Sequence, residues 1–401
     1  MKRRRKRALL VAPLVAGVFA ATAGVTSGTE QTPVTGPAPG AAAWRADHTL
    51  GRTLPDPATA SPERVAAFFA GLGKNERRAL VRRHPLTVGN LDGAPLGIRY
   101  QANRVALKEE RRAQLARARG RGRAGEGGLT RADRREAREK AERYAELLTP
   151  GRQILAFDPR ARGQVAEVYG DLAHATRTAV VVPGSDIDLA TYDGRGKNRY
   201  GKPAGMATAL RHRMAARAPH TRTAVVAWVG YTTPVGLGPD AATARLANAG
   251  APRLVRFLRG LERTGAPAPA VLCHSYGSVV CGRAAPRLDR SEAADLIVFG
   301  SPGMRVGSVE GLHTRVPVWA ARAAEDWIGR VPNVEVLGLG HGADPTDAGF
   351  GARVVTAARA DGHSGYLKPG TDSLDNFAAI ALRAYGSVRC APASQECADA
   401  R

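Results

Sequence analysis

From residue 153 onward, short apolar runs alternate with segments of helical periodicity. The runs are ILAFD, QVAEVYG, TAVVVPG, TAVVAWVGY, AVLCHS, DLIVFGSPG and PVWAARAAED. Helices are expected between and after them, near residues 204–216, 241–263, 276–287 and 374–385. Strands that alternate with helices favour a mostly parallel sheet with helices on both faces. The fold class is therefore predicted to be α/β, and functional groups are expected at the carboxyl ends of the strands.

The N-terminus has the three-part layout of a secretory signal peptide. Six basic residues precede an apolar run from Ala8 to about Ala21, and Ala21-Thr22-Ala23 offers a cleavage site with small residues. The alternative is an uncleaved anchor, but the run is short for a membrane span of about 20 residues. Residues 1–23 are therefore predicted to be a signal peptide, and the protein to be secreted.

Composition divides the rest of the chain. Residues 24–62 are rich in Thr, Pro, Ala and Gly, which is typical of a flexible linker. Residues 63–150 are predicted to be a helical N-terminal segment, because apolar and mixed charged residues recur at helical spacing. The α/β domain is expected over residues 151–388, followed by a C-terminal tail at 389–401.

The chain is strongly basic. Its formal net charge is +23, of which six charges belong to the predicted signal peptide, leaving +17. Such a surface can attract anionic cell-envelope polymers, lipids or nucleic acid. A composition rich in Ala, Arg and Gly is the favoured explanation of the charge. Aromatics are sparse, and no nucleic-acid motif accompanies the arginines. An anionic envelope surface stays a candidate partner, and no specific nucleic acid is expected.

The stretch VLCHSYGSVVCG, residues 271–282, contains the candidate nucleophile. Ser275 directly follows an apolar run and directly precedes a helical segment, so its hydroxyl is expected to project from a tight strand–turn–helix bend. The bend requires small residues two positions before and after the serine; Gly277 meets this requirement, whereas Cys273 replaces the usual glycine. The N–H of Tyr276, at the start of the new helix, can donate to an oxyanion.

A serine nucleophile needs a base, and the base needs an orienting acid. In one known arrangement, the serine comes first in the sequence, the acid second and the histidine third. Asp326 comes after the strand-like PVWAARA, where a strand-end acid belongs, and His363 lies in the loop DGHSGYL ahead of the last helix. The alternatives are Glu325, Asp344 and Asp347 for the acid, and His341 in LGHGADP for the base.

A second oxyanion donor is expected from the loop that follows an earlier strand. The stretch VVVPGSDID, residues 180–188, ends a strand and turns at Gly184. The N–H of Ser185, or that of Gly184, can then face the serine. Chemistry of this kind needs no metal and no cofactor.

The four cysteines form two closely spaced pairs, which suggests disulfides in an exported protein. Cys390 and Cys397 enclose the short loop CAPASQEC and are expected to be bridged. Cys281 lies four residues after Gly277 on the same helix face, so it can approach Cys273 on the strand. Two buried thiols are the alternative for this inner pair, and a zinc site is disfavoured because the pairs lack two-residue spacing.

The motifs together resemble a secreted actinobacterial branch of the alpha/beta-hydrolase superfamily, whose founding domain is of unknown function. The resemblance covers residues 153–385 and parts of the preceding segment. It is carried by HSYGS (274–278), VPGSDID, HGADP with GFGA (341–352), GHSGY (362–366), GNLDGAP (89–95) and AN (102–103). Cys273 departs from it, since relatives often have glycine there.

This resemblance implies an alpha/beta-hydrolase fold preceded by a helical N-terminal segment. It also implies a serine hydrolase with Ser275 as nucleophile, Asp326 as acid and His363 as base. The expected reaction is cleavage of an ester, thioester or amide through an acyl-enzyme, with an esterase- or lipase-like activity favoured over a peptidase or amidase. The substrate is expected to be a small or lipid-like acyl compound. Acyl transfer at the same site, or a non-catalytic envelope-binding role, are the alternatives.

Overall fold

The computed structural model describes residues 30–121, 128–194, 196, 198–392 and 394–400. The chain divides into two compact units. Of the described residues, unit 1 combines those up to Thr35 with those from Tyr169 onward, and unit 2 comprises those from Gly36 to Val168. The predicted signal peptide lies outside the described residues. Within the described ranges, no helix is both long and apolar enough to span a membrane.

Unit 2 is mainly helical and ends in a β-hairpin, in which the two strands pair antiparallel. Its second helix begins after Ser61, whose side chain accepts from the Arg64 N–H and so caps the helix. Thr130 and Asp133 form a capping box at the start of its last helix. The elements are α1 (Ala41–Arg45), α2 (Pro62–Ala70), α3 (Lys74–Arg83), α4 (Pro85–Gly89), α5 (Leu96–Ala118), α6 (Arg131–Leu147), β1 (Gln153–Asp158) and β2 (Gln164–Gly170).

The linker predicted for residues 24–62 needs correction from residue 36 onward. Trp44 is fully buried, and its indole N–H donates to the Pro55 carbonyl at 2.8 Å. Leu54 and Ala60 join the same hydrophobic core, which also contains Phe69. A composition dominated by small residues indicated a linker, but one indole buries enough apolar surface to hold the segment against the helices.

Unit 1 is built around a parallel sheet. In the described part of this unit, six parallel strands lie in the order β4-β3-β5-β6-β7-β10. The central strands are buried along almost their whole length, as a parallel sheet covered on both faces requires. The strands are β3 (Arg177–Val182), β4 (Thr223–Val229), β5 (Ala270–His274), β6 (Asp295–Phe299), β7 (Val318–Ala321) and β10 (Arg353–Val354); β8 (Glu335–Val336) and β9 (Leu339–Gly340) form a separate hairpin.

The helices of unit 1 cover this sheet in two layers. One layer pairs α7 with α11, and the other pairs α9 with α10. The long helix α9 buries Leu246, Leu254 and Leu258, whose spacing places them on one stripe. The helices are α7 (Pro203–Arg217), α8 (Pro239–Ala242), α9 (Arg245–Arg263), α10 (Gly277–Ala284), α11 (Asp372–Ala381) and α12 (Gln395–Ala398).

Two end segments of the chain belong to unit 1. Residues 30–35 are held on it because Gln31 N–H donates to Asp240 Oδ2 at 2.6 Å and Val34 N–H donates to Thr232 Oγ1 at 2.9 Å. Of the tail predicted at 389–401, the described residues 389–392 and 394–400 also pack on unit 1: the backbone of Cys390 pairs with Val355 in an isolated β-bridge, and α12 packs on β10. Both segments therefore pack on the unit that contains the parallel sheet.

Candidate active site

Ser275 lies at the sharp turn between β5 and α10. Its φ is +53°, in the left-handed region that residues with a side chain seldom adopt. The turn is closed by two backbone hydrogen bonds: Ser275 N–H donates to the Phe299 carbonyl at 3.0 Å, and Ser278 N–H donates to the Ser275 carbonyl at 2.9 Å. The serine therefore stands at the carboxyl end of the strand in a constrained conformation.

Two glycines make this turn possible. A Cβ at Gly277 would lie 2.6 Å from the Val182 carbonyl oxygen and 2.7 Å from that of Pro183, so helix and strand pack too closely for any side chain there. A Cβ at Gly184 would lie 2.6 Å from Ser275 Cβ. The loop after β3 and the turn after β5 are therefore in direct contact at the serine.

His363 lies within hydrogen-bond distance of both the serine and an acid. Its Nε2 is 2.9 Å from Ser275 Oγ, and its Nδ1 is 2.8 Å and 3.0 Å from the two Asp326 oxygens. Because a carboxylate only accepts hydrogen bonds, Nδ1 bears the proton and Nε2 accepts from the serine hydroxyl. The structure thus brings the three predicted residues into one hydrogen-bonded chain.

Asp326 follows β7, and its carboxylate is fully buried. Burial acts to raise the pKa of this carboxyl. Hydrogen bonds from His363, Tyr366 and the Ile328 N–H, together with the charge of His363, outweigh burial and hold the pKa below its ordinary value. The Tyr366 hydroxyl donates to Oδ2 at 2.6 Å, and burial raises the pKa of Tyr366. Asp326 is therefore ionised at neutral pH, and its carboxylate accepts hydrogen bonds from His363, Tyr366 and the Ile328 N–H.

The alternative acids lie outside this chain of hydrogen bonds. Glu325 and Asp347 are exposed. Asp344 is buried, but its carboxylate forms an ion pair with Arg322 and accepts from Thr346. None of the three has a hydrogen bond to His363 among the described residues, so Asp326 is the acid that the geometry favours.

The alternative base, His341, is a buried residue with a different role. Its Nε2–H donates to the Ala241 carbonyl at 2.6 Å, and its ring meets Tyr276 edge to face at 5.7 Å. Burial lowers the pKa of His341 to about 4. Its Nδ1 has no hydrogen-bond partner in the described ranges. These contacts hold the loop at His341 against α8. The hydrogen bond to Ser275 Oγ is formed by His363 instead.

The predicted oxyanion donors lie on the two segments that meet at Ser275. Tyr276 is the N-cap residue of α10, and Ser185 follows Gly184 in the loop after β3. Neither the Tyr276 N–H nor the Ser185 N–H donates to an acceptor within the part of the chain that the structure describes. This loop is fixed instead by Asp186, whose N–H donates to the Pro234 carbonyl at 2.9 Å.

Sequence reasoning missed three aromatic residues around the base. The His274 ring lies 4.9 Å from the His363 ring, and the partly buried Trp327 ring lies 4.7 Å from it, both measured between centroids. Tyr366 contacts the acid, as described above. His274 and Tyr366 lie inside the motifs HSYGS and GHSGY, and Trp327 directly follows the acid. Their positions beside the predicted residues were the available signal, but nothing in the sequence states which partner each one contacts.

Both predicted disulfides are present. Cys273 is bonded to Cys281 with a Cα–Cα distance of 6.5 Å, and Cys390 to Cys397 with one of 5.6 Å. The first bridge joins the end of β5 to α10 on either side of Ser275. Because the sulfurs are bonded to each other, the four cysteines do not form a zinc site. Two disulfides are compatible with an extracellular protein.

Residues 158–336 match the family model described as alpha/beta hydrolase. The chain has an alpha/beta-hydrolase fold. The match includes Ser275 and Asp326 and ends before His363, which therefore stands at the site on the evidence of its hydrogen bonds and not of this match. Together with the parallel sheet and the turn at the serine, this similarity supports hydrolase activity.

The chain is similar to curated mycobacterial proteins. It is 29% identical over 380 residues to the uncharacterized protein Rv2079 of Mycobacterium tuberculosis, which covers 82% of this chain and 56% of that protein. The uncharacterized protein MT2140 of another strain matches with the same values. The chain thus spans about half the length of these curated relatives.

Solved hydrolase structures overlap with the chain in part. The 2,6-dihydroxy-pseudo-oxynicotine hydrolase is 14% identical with a TM-score of 0.36, over 87% of this chain and 94% of that one. LpqC, a poly(3-hydroxybutyrate) depolymerase from Bordetella parapertussis, is 14% identical with a TM-score of 0.34, over 64% and 96%. The fold assignment depends on the sheet and the family match rather than on these overlaps.

Proposed function

We propose that the protein is a serine hydrolase that cleaves an ester, thioester or amide through an acyl-enzyme on Ser275. The observation that carries the proposal is the continuous chain from Ser275 Oγ to His363 Nε2 at 2.9 Å and from His363 Nδ1 to Asp326 at 2.8 Å. A nucleophile and base within hydrogen-bond reach, with the base oriented by a third group, is the arrangement that activates a serine.

In the proposed reaction, Ser275 Oγ forms a bond to the acyl carbon while His363 Nε2 takes the hydroxyl proton. The tetrahedral oxyanion then collapses, the bond to the alcohol, thiol or amine breaks, and the leaving group receives the proton from His363. Water repeats the sequence on the acyl-enzyme and releases the acid. Asp326 stays ionised and stabilises the imidazolium.

The oxyanion is proposed to accept hydrogen bonds from the N–H of Tyr276 and from that of Ser185 or Gly184. Two features support this assignment. The loop at Gly184 packs directly against Ser275, and the Tyr276 and Ser185 N–H groups have no other acceptor among the described residues. Removing one such donor from a serine hydrolase reduces kcat about 10²–10³-fold.

An esterase- or lipase-like activity on a small or lipid-like acyl substrate is the favoured version, and acyl transfer at the same site is the second candidate. The predicted signal peptide and the two disulfides support action outside the cell. The intact hydrogen-bonded chain disfavours a purely non-catalytic role at an anionic envelope surface.

Covalent labelling with a fluorophosphonate, followed by intact mass, tests the nucleophile. The wild-type protein should gain one adduct, and Ser275→Ala should gain none. His363→Ala should slow labelling strongly, whereas His341→Gln, which keeps a donor for the Ala241 carbonyl, should label like wild type. An unlabelled wild-type protein contradicts the proposal, and so does loss of labelling in the His341 variant with retention in the His363 variant.

A panel of nitrophenyl esters of increasing chain length, beside a phospholipid and an aminoacyl amide, tests the substrate class. Ester cleavage that varies with chain length and little amide cleavage are expected. Product analysis with and without an added alcohol separates hydrolysis from acyl transfer, because transfer yields a new ester rather than the free acid. Amide cleavage that exceeds ester cleavage would overturn the esterase assignment.

A further inference from the structure

His274, directly before the serine, contacts the base from within the core. It is 7% exposed, and its Nε2 lies 2.8 Å from the backbone carbonyl oxygen of His363. Because a carbonyl only accepts, Nε2 bears a proton and donates it. The His274 ring also stacks on Phe299 of the neighbouring strand, with centroids 5.0 Å apart. The direction of the N–H is therefore fixed by packing.

This hydrogen bond joins the two halves of the proposed site. Ser275 and its predecessor belong to one strand end, whereas His363 lies 88 residues further along, in a 3-10 helix of three residues, Gly362–Ser364. A single turn of helix holds its backbone weakly by itself. The donor from β5 fixes the histidine backbone to the same strand end that carries the nucleophile.

Burial also keeps the His274 imidazole neutral. Burial, with the charge of His363 as a lesser cause, lowers the pKa of His274 to about 3. A cationic ring at 4.9 Å would repel the imidazolium that forms on His363 during acyl transfer. A neutral His274 donates its hydrogen bond without that repulsion.

We propose that His274 is a positioning residue, which holds the backbone of His363 through its Nε2–H and thereby sets the distance from His363 to Ser275. This inference rests on the proposed function. Among the described residues, His274 has no hydrogen bond to Ser275 Oγ or to the ring nitrogens of His363. Its proposed effect passes through the backbone of His363, whereas its ring also contacts Phe299 and Tyr366, so a test must separate the hydrogen bond from the ring.

Two substitutions separate the hydrogen bond from the ring. His274→Phe keeps an aromatic ring for Phe299 and removes the donor, and His274→Gln keeps an N–H donor of similar reach. With a nitrophenyl ester, kcat should fall about 10–100-fold in the Phe variant, the range for residues that orient a catalytic group, with KM changed less than about twofold. The Gln variant should recover most of the loss.

A matched control is available in His341, a second buried histidine whose Nε2–H also donates to a backbone carbonyl. His341→Phe removes an equivalent donor that does not hold the base. It should leave kcat close to that of wild type. Thermal unfolding of all variants checks that they are folded, and an equal loss of kcat in both Phe variants would overturn the inference.

A double-substitution cycle decides between positioning and general structural support. In a His363→Ala background, measured at high enzyme concentration, His274→Phe should cause less than about a twofold further loss, because the group it positions is gone. The same 10–100-fold loss in both backgrounds would show that His274 acts independently of His363. If His363→Ala is as active as wild type, the proposed function fails; if only His274→Phe has no effect, the positioning role alone fails.

Discussion

The Tyr366 hydroxyl donates a 2.6 Å hydrogen bond to Oδ2 of Asp326. The same hydroxyl accepts from the Ala323 N–H at 2.9 Å, so its direction is fixed from both sides. Asp326 therefore accepts hydrogen bonds from His363 and Tyr366, and both donors lie in one short segment of the chain, GHSGY. The orientation of the carboxylate toward His363 depends on both hydrogen bonds.

Tyr366→Phe tests this relationship. The change removes the hydroxyl but keeps the ring, so Asp326 loses one donor while the core stays filled. A hydrogen bond to a charged group contributes about 1.5–3 kcal/mol, so kcat should fall about tenfold or more with KM little changed. Tyr385→Phe is the matched control, because Tyr385 donates to another buried carboxylate, Asp295, at 3.0 Å. Steady-state ester hydrolysis measures both, and equal losses would contradict the assignment.

Gly184→Ala should strongly reduce the reactivity of Ser275. The added Cβ would lie 2.6 Å from Ser275 Cβ and 3.0 Å from its Oγ, so either the turn or the loop after β3 must move. Fluorophosphonate labelling should slow by at least about 100-fold, the effect expected for misplacing reacting groups by about 1 Å. Gly349→Ala, where a Cβ meets nothing within 4 Å, should label like wild type. Normal labelling of the Gly184 variant would refute this prediction.

The bridge between Cys273 and Cys281 should support both stability and activity. Replacing both residues by alanine should lower the free energy of unfolding by about 2–3 kcal/mol, the entropic estimate for so short a loop. Activity should also fall, because the bridge joins strand and helix on either side of Ser275. The Cys390 and Cys397 pair, replaced in the same way, should lose stability with kcat retained. Unchanged kcat after loss of the inner bridge, confirmed by mass, would contradict the expected link to activity.

Stability should fall in mild acid. The pKa values of His274 and His341 lie near 3 and 4, below the ordinary histidine value of about 6.5. The unfolded chain therefore binds protons that the folded state excludes, so stability is full above about pH 6.5 and decreases as the pH falls toward 4. Each histidine contributes a slope of up to about 1.4 kcal/mol per pH unit. Denaturant unfolding at pH 7.5, 6 and 5 should show a shallower slope for His341→Gln than for wild type; identical slopes would refute the explanation.

The three residues proposed as nucleophile, acid and base were accessible from the sequence because each stands beside an element that a local pattern reveals. Ser275 and Asp326 follow apolar runs that form β5 and β7, and His363 precedes the helical pattern of α11. In a parallel sheet the carboxyl ends of the strands meet at one edge, so the order of elements alone brings such residues close.

The contacts of His274 and Tyr366 were not accessible in this way. The His274 contact joins residues 89 positions apart, and the Tyr366 contact joins residues 40 positions apart. Both pairings depend on the register of packed elements, which no local pattern encodes. The ordered stretch around Trp44 was missed for a related reason. Its composition indicates a linker, whereas its burial depends on helices that come later in the chain.

The short segment 30–35 determines how unit 1 can be isolated. Gln31 and Val34 donate to Asp240 and Thr232, and the neighbouring Thr233 hydroxyl donates to the Ile187 carbonyl at 2.7 Å, close to Ser185. A shortened chain that begins at Tyr169 would lose these first two donors beside the loop that faces the serine. Unit 1 therefore cannot be obtained intact by a single cut; a shortened version that keeps these two hydrogen bonds would need residues 30–35 rejoined ahead of residue 169.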